Sequence, residues 1–128
     1  MSDTTTAPAA ADAATQAALE RLNTVIDRLI APDGCPWDST QTPESLTEYV
    51  IEECHELVDA IRSGKTADMV EELGDVAFLI LMIGKLMARA GGPSLADALE
   101  VEAAKMVRRH PHVFSDTTYE NQSEQLKD

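Results

Sequence analysis

The stretch Thr66-Ala67-Asp68-Met69-Val70-Glu71-Glu72-Leu73-Gly74-Asp75-Val76-Ala77-Phe78-Leu79-Ile80-Leu81-Met82-Ile83 decides the fold. Its first half sets acids at i,i+3 and i,i+4, and its second half, Val76 to Ile83, is an unbroken apolar run. Leu, Met, Glu and Ala favour a helix, and the polar–apolar alternation of a half-buried strand is missing. A helical run that is apolar all round must be covered all round. Eight residues fall far short of the roughly twenty that a bilayer needs, and Asp75 and Lys85 bracket them. The cover is therefore protein, not membrane. In so short a chain it predicts a second copy, hence a homodimer or higher homo-oligomer.

Working outward, the spacing of Leu19, Leu22, Val25, Ile26, Leu29 and Ile30 predicts a helix from about Thr15, stopped by Ala31-Pro32-Asp33-Gly34. Cys35 to Gln41 reads as a loop. Thr42-Pro43, a capping hydroxyl before a first-turn proline, opens a second helix to about Arg62, closed by Ser63-Gly64. The third runs from Thr66 to about Ala90. Ser94 with Asp97 resembles a capping box for a fourth from Leu95 to about Arg109, ended by Pro111. The class is all-α, a bundle of four to five helices whose core an oligomer completes. Segment 1–14 has no large apolar side chain beyond Met1 and is expected to be a disordered tail. The domain is expected over 15–116, with a polar C-terminal segment over 117–128.

The chain has 128 residues, 44% hydrophobic and 26% charged, which suits one soluble domain. A net charge of −13 argues against nucleic acid as a partner, because phosphate backbones need a basic patch. Two cysteines, Cys35 and Cys54, are too few for a disulfide framework and read as reduced thiols. The start has neither the basic nor the apolar region of a signal peptide. The expected location is cytoplasmic.

Between Glu44 and Ile61 every charged side chain is acidic, and the same holds from Thr66 to Gly84. Like-charge pairs such as Glu48/Glu52, Glu53/Glu56, Asp68/Glu72 and Glu72/Asp75 each cost roughly 0.2–0.5 kcal/mol, together about 2–4 kcal/mol. An ordinary surface helix would interleave Lys or Arg. Projected at about 100° per residue, Val50, Cys54, Leu57 and Ile61 form a core-facing stripe, with Glu53 at its edge. Glu72 and Asp75, one turn apart and running into the apolar segment, should be half-buried. Two helices, each offering a carboxylate pair, can gather four oxygen donors, the ligand set that hard divalent ions prefer. Gly74 would let the helices approach. These residues leave two readings open: a solvated acidic face, or a Mg²⁺ or Mn²⁺ site.

Glu52-Glu53-x-x-Glu56 followed by Glu72-x-x-Asp75 resembles the signature of the MazG-type nucleoside triphosphate pyrophosphohydrolases. Gly34-Cys35-Pro36-Trp37-Asp38 with Gln41-Thr42 stands upstream, and Arg108-Arg109-His110-Pro111-His112-Val113-Phe114 downstream, in the family's order. The resemblance covers about Leu19 to Asp116. It implies an all-α fold, at least dimeric, that hydrolyses a nucleoside triphosphate to monophosphate and pyrophosphate with Mg²⁺. It implies Glu53, Glu56, Glu72 and Asp75 as metal ligands, with Glu52 holding a further metal or orienting the attacking water beside Glu53. It turns Lys105 and Arg109 toward the phosphates, with Arg108 as a further candidate; the alternative is favourable charge at a helix C-terminus. Trp37 could stack on a base or plug the first two helices. His110 and His112 lack zinc-site spacing. Relatives often continue into a segment with a tryptophan and a lysine near the nucleotide. Residues 115–128 hold no tryptophan, so the resemblance carries phosphate chemistry but not base recognition. The competing readings are a non-catalytic helical module that binds nucleotide or a partner, and a narrow-specificity relative, dUTPase-like or phosphoribosyl-ATP pyrophosphohydrolase-like.

Overall fold

The computed structural model describes residues 6–115, and every regular element among them is helical. The chain forms α1 (Thr6–Ile30), a one-turn α2 (Pro36–Ser39), a 3₁₀ turn (Glu44–Leu46), α3 (Thr47–Ser63), α4 (Thr66–Arg89), α5 (Leu95–Arg109) and a one-turn α6 (Pro111–Phe114). None is long and apolar enough to cross a membrane. The polar segment 117–128 and the first five residues of the expected tail lie outside the described residues.

Helix α1 begins at Thr6, not Thr15, so residues 6–14 of the expected tail are helical. The reason is local. Pro8 is tolerated in a first turn, alanine has the highest helix propensity, and extending a formed helix is cheap once its far end is nucleated. That extension finds no core: residues 8–20 are all exposed, and packing starts at Leu22 and Ile26.

The second expected helix also starts later. Thr42 does cap, but it caps the 3₁₀ turn: the Ser45 amide donates to Thr42 Oγ1 at 3.1 Å, and the Thr42 amide to Ser45 Oγ at 2.9 Å. Such local side-chain bonds compete with the α-helical ladder, and regular helix resumes only at Thr47. Gly64, at φ 73°, and Lys65 make the sharp reversal into α4. The α4 and α5 limits fall within a residue of the expected ones, and the Ser94 amide donates to Asp97 Oδ2 at 2.8 Å.

The core is Ile26, Leu46, Leu79, Leu81, Met82 and Leu86, where α1, the 3₁₀ turn and α4 meet, with Val50 of α3 packed against it. Arg89 pins one end, donating to the carbonyls of Ile30, Ser39 and Gln41 at 3.0–3.3 Å. Those bonds satisfy acceptors that the α1 and α2 ends leave open. Gly84 lets α5 in: a Cβ there would lie 2.8 Å from Leu95 Cβ. Gly74 has no such role in the chain, since a Cβ there meets nothing within 4 Å.

Two expectations about faces change. The buried stripe of α3 is Val50, Glu53, Leu57 and Ala60, whereas Cys54 and Ile61 are exposed. The run Val76–Ile83 is only partly covered by its own chain, with Leu79, Leu81 and Met82 buried but Ile80 49% exposed. Leu73, Ile80 and Met87, a heptad apart, continue that open line, and α5 buries none of its residues.

Candidate metal centre

The α3 stripe carries Glu53 between two apolar residues into the seam with α4, where Glu72 approaches from the other helix; both are half-buried. Glu56 stands one turn from Glu53 on the solvent side. One carboxylate oxygen from each of Glu53, Glu56 and Glu72 lies within 4.8 Å of the others. Among the described residues, Glu53 Oε2 and Glu72 Oε2 are buried with no hydrogen-bond partner. An unsatisfied buried acceptor costs about 1–3 kcal/mol, and native proteins hold few of them.

The electrostatics agree with the geometry. Burial, then the charges of Glu56 and Asp75, raises the Glu53 pKa. Burial, then Glu56, Asp75 and Glu53, pushes Glu72 up to about 7. No base relieves them: the ion pairs among the described residues are Arg28–Asp33, Lys85–Asp27 and Lys105–Glu102. A small, all-oxygen, net-negative cluster with orphaned acceptors fits a hard divalent cation, and no Cys or His joins it among the described residues.

Asp75 is exposed rather than half-buried, because the α4 face it shares opens to solvent. It lines a cleft of about 190 Å³ with Glu53, Trp37, Tyr49, Phe78 and Leu79, and its charge reaches both Glu53 and Glu72. Glu52 points elsewhere, into a neighbouring cleft of about 420 Å³ with Glu44, Ser45, Thr47, Glu48 and Tyr49. Trp37 does not plug the first two helices. It is 48% exposed, with its edge on Tyr49 at 5.7 Å between ring centroids.

Tyr49 lines both clefts and was missed in the sequence, although its i,i+4 spacing to Glu53 was there to read. The basic cluster is not brought to the acids within the chain. Lys105 pairs with Glu102 at 2.9 Å, Arg108 and Arg109 are exposed, and no α5 residue lines the clefts of Glu53, Glu56, Glu72 and Asp75.

The same stretch that builds this site, residues 41–114, matches the family model described as the MazG nucleotide pyrophosphohydrolase domain. The chain belongs to the MazG family. It is 43% identical over 102 residues to the uncharacterized protein YabN of Bacillus subtilis, covering 80% of this chain and 21% of that relative. It is 41% identical over 98 residues to the nucleoside triphosphate pyrophosphohydrolase/pyrophosphatase MazG of Thermotoga maritima, covering 77% and 38%. The Escherichia coli nucleoside triphosphate pyrophosphohydrolase is 38% identical over 109 residues, covering 84% and 41%. The crystal structure of a mazG-related protein from Thermotoga maritima superposes with a TM-score of 0.68 at 29% identity, covering 84% of this MazG chain and 92% of that one. The chain thus spans less than half the length of these curated relatives.

Proposed function

We propose that this MazG domain hydrolyses nucleoside triphosphates to the monophosphate and pyrophosphate, with Mg²⁺, or Mn²⁺ in its place, held by Glu53, Glu56, Glu72 and Asp75. The observation that carries the reading is the pair of buried, partnerless oxygens, Glu53 Oε2 and Glu72 Oε2, within a three-carboxylate cluster. Such a cluster repels a polyanion on its own, so substrate binding depends on the cation. When bound, the ion would neutralise charge on the phosphates and lower the pKa of a coordinated water.

Glu53, at the mouth of the Trp37–Tyr49 cleft, and Glu52, across Tyr49 from it, are the candidates to orient that water and accept its proton. Water adds at the α-phosphorus, the α–β bridging P–O bond breaks, and pyrophosphate leaves. Lys105, Arg109 and Arg108 would meet the phosphates, and Trp37 the base. The open apolar faces of α3, α4 and α5 support a homodimer or higher homo-oligomer, and the reaction suits a cytoplasmic nucleotide pool. Pyrophosphate release, measured across common and damaged triphosphates with Mg²⁺ and again with EDTA, tests the reading. Release only with the ion is expected. Nucleotide binding without release under any condition would replace it with a non-catalytic module.

A further inference from the structure

Trp37 and the acids of the cleft it overlooks belong to different parts of the chain. The segment that carries Trp37, residues 31–41, is built onto the end of α1. There the Cys35 amide donates to Leu29 O at 2.9 Å, and a Cβ at Gly34 would collide with Arg28 O. The rest of the cleft comes from α3, through Tyr49 and Glu53, and from α4, through Asp75, Phe78 and Leu79. Trp37 meets Tyr49 edge to face and stays 48% exposed, so packing alone holds it loosely. The side-chain bonds of Thr40 and Gln41 to the carbonyls of Pro36 and Trp37 stay inside the segment. They shape the turn without fixing where it sits.

Among the described residues, the hydrogen bonds that reach 31–41 from a distant helix all come from Arg89, the last residue of α4. Its Nη2 donates to Ser39 O at 3.2 Å and Gln41 O at 3.3 Å, and its Nη1 to Ile30 O at 3.0 Å, where α1 ends. One planar guanidinium thus clasps the turn bearing Trp37 from both sides. The plainer role is a favourable charge at the α4 C-terminus. A charge alone, however, would not call for acceptors 48, 50 and 59 residues away.

We infer that Arg89 is a positioning residue: its clasp fixes Trp37 relative to Glu72 and Asp75, which ride on the same helix, and so sets the span from base to metal. The inference rests on the proposed reading that Trp37 meets the base, which it deepens. When the clasp is lost, Trp37 is seated for only part of the time. Apparent nucleotide affinity then falls by that fraction, while the carboxylates keep their places.

Hydrogen exchange read by mass spectrometry on wild type, Arg89→Met and Arg89→Lys tests the placement without turnover. Lysine keeps the helix-end charge but cannot bridge the two sides of the turn. In both variants the amides of 31–41 should exchange at least about threefold faster, with those of 72–79 unchanged. Arg89→Lys is the milder change and decides the matter if Arg89→Met unfolds. Wild-type exchange at 31–41 in Arg89→Lys would leave Arg89 as a helix-end charge and overturn the inference.

Kinetics give the second readout, with the nucleoside triphosphate that the wild type cleaves fastest. In Arg89→Lys its KM should rise about 3- to 10-fold, part of the roughly 5- to 150-fold that stacking one base carries. The kcat should stay within about twofold, and Mg²⁺ affinity by calorimetry should not move. A fall in kcat at unchanged KM would overturn the inference and leave the reaction standing. A wild type that releases no pyrophosphate removes the reaction, and the exchange pattern then still decides whether Arg89 places the Trp37 segment.

Discussion

At Glu72 the carboxyl pKa of about 7 stands well above its ordinary 4.5, because burial and three neighbouring acids disfavour the charge. Below about pH 4.5 it is protonated whether folded or not, so it has no effect there. Between there and about 7 the unfolded chain ionises first, the folded state binds more protons, and stability falls as pH rises. The ion-free protein should therefore melt higher near pH 5 than near pH 7.5, and Glu72→Gln should flatten that slope in thermal scans. A flat slope in the wild type would contradict the cluster's electrostatics. Saturating Mg²⁺ at pH 7.5 should restore stability, by about 2.7 kcal/mol at a hundred times its Kd, and Glu53→Gln with Glu72→Gln should abolish that gain. For activity, Glu53→Gln or Asp75→Asn should lower turnover at least about 10²-fold, read as pyrophosphate released. Lys105→Ala should raise KM more than it changes Mg²⁺ affinity; unchanged kinetics would leave it a helix-end charge. Glu53, Glu56 and Glu72 were legible because like charges a turn apart need a reason. Glu53's place inside the buried stripe was not, since the helix is rotated by its packing on α4. The divergence of Glu52 from Glu53 was legible, since adjacent helical residues point about 100° apart; which cleft each side chain meets was not.

Helix α4 carries two contacts whose loss should be felt at a distance. A Cβ at Gly84 would sit 2.8 Å from Leu95 Cβ. Gly84→Ala gains about 1 kcal/mol of helix propensity but overpacks by about 1–3 kcal/mol, so a modest net loss is expected, with α5 pushed away. A raised melting temperature would show that α5 can yield. Arg89 ties the ends of α1 and α2 together through three carbonyls; Arg89→Met should cost about 1–3 kcal/mol in denaturant unfolding and loosen the segment bearing Trp37. The ends of α4 and α5 could be read because their signals are local: Gly64, the Ser94–Asp97 box, Pro111. The start of α1 could not, because a polar alanine-rich segment offers no apolar spacing, yet it extends a helix nucleated elsewhere. The one-turn α2 was hidden because its Pro36 start looks the same in a loop.

Across the described residues, large apolar side chains are more often exposed than buried, and the core is a small group around Met82. Met82→Ala should cost about 2–5 kcal/mol, a large share of a small domain's stability. An all-helical class with an incomplete core was legible in Val76–Ile83, whose apolar circumference exceeds what one short chain can cover. If a second copy supplies the cover, melting should shift with protein concentration; a concentration-independent midpoint would count against it. Trp37 offers a way to watch the site itself. It is the chain's only tryptophan, set half in solvent at the rim of the Glu53–Asp75 cleft. Its emission therefore carries no signal from any other indole, and the unlabelled protein is its own optical reporter. Titrations of ion and of nucleotide can be followed separately by intensity and by wavelength.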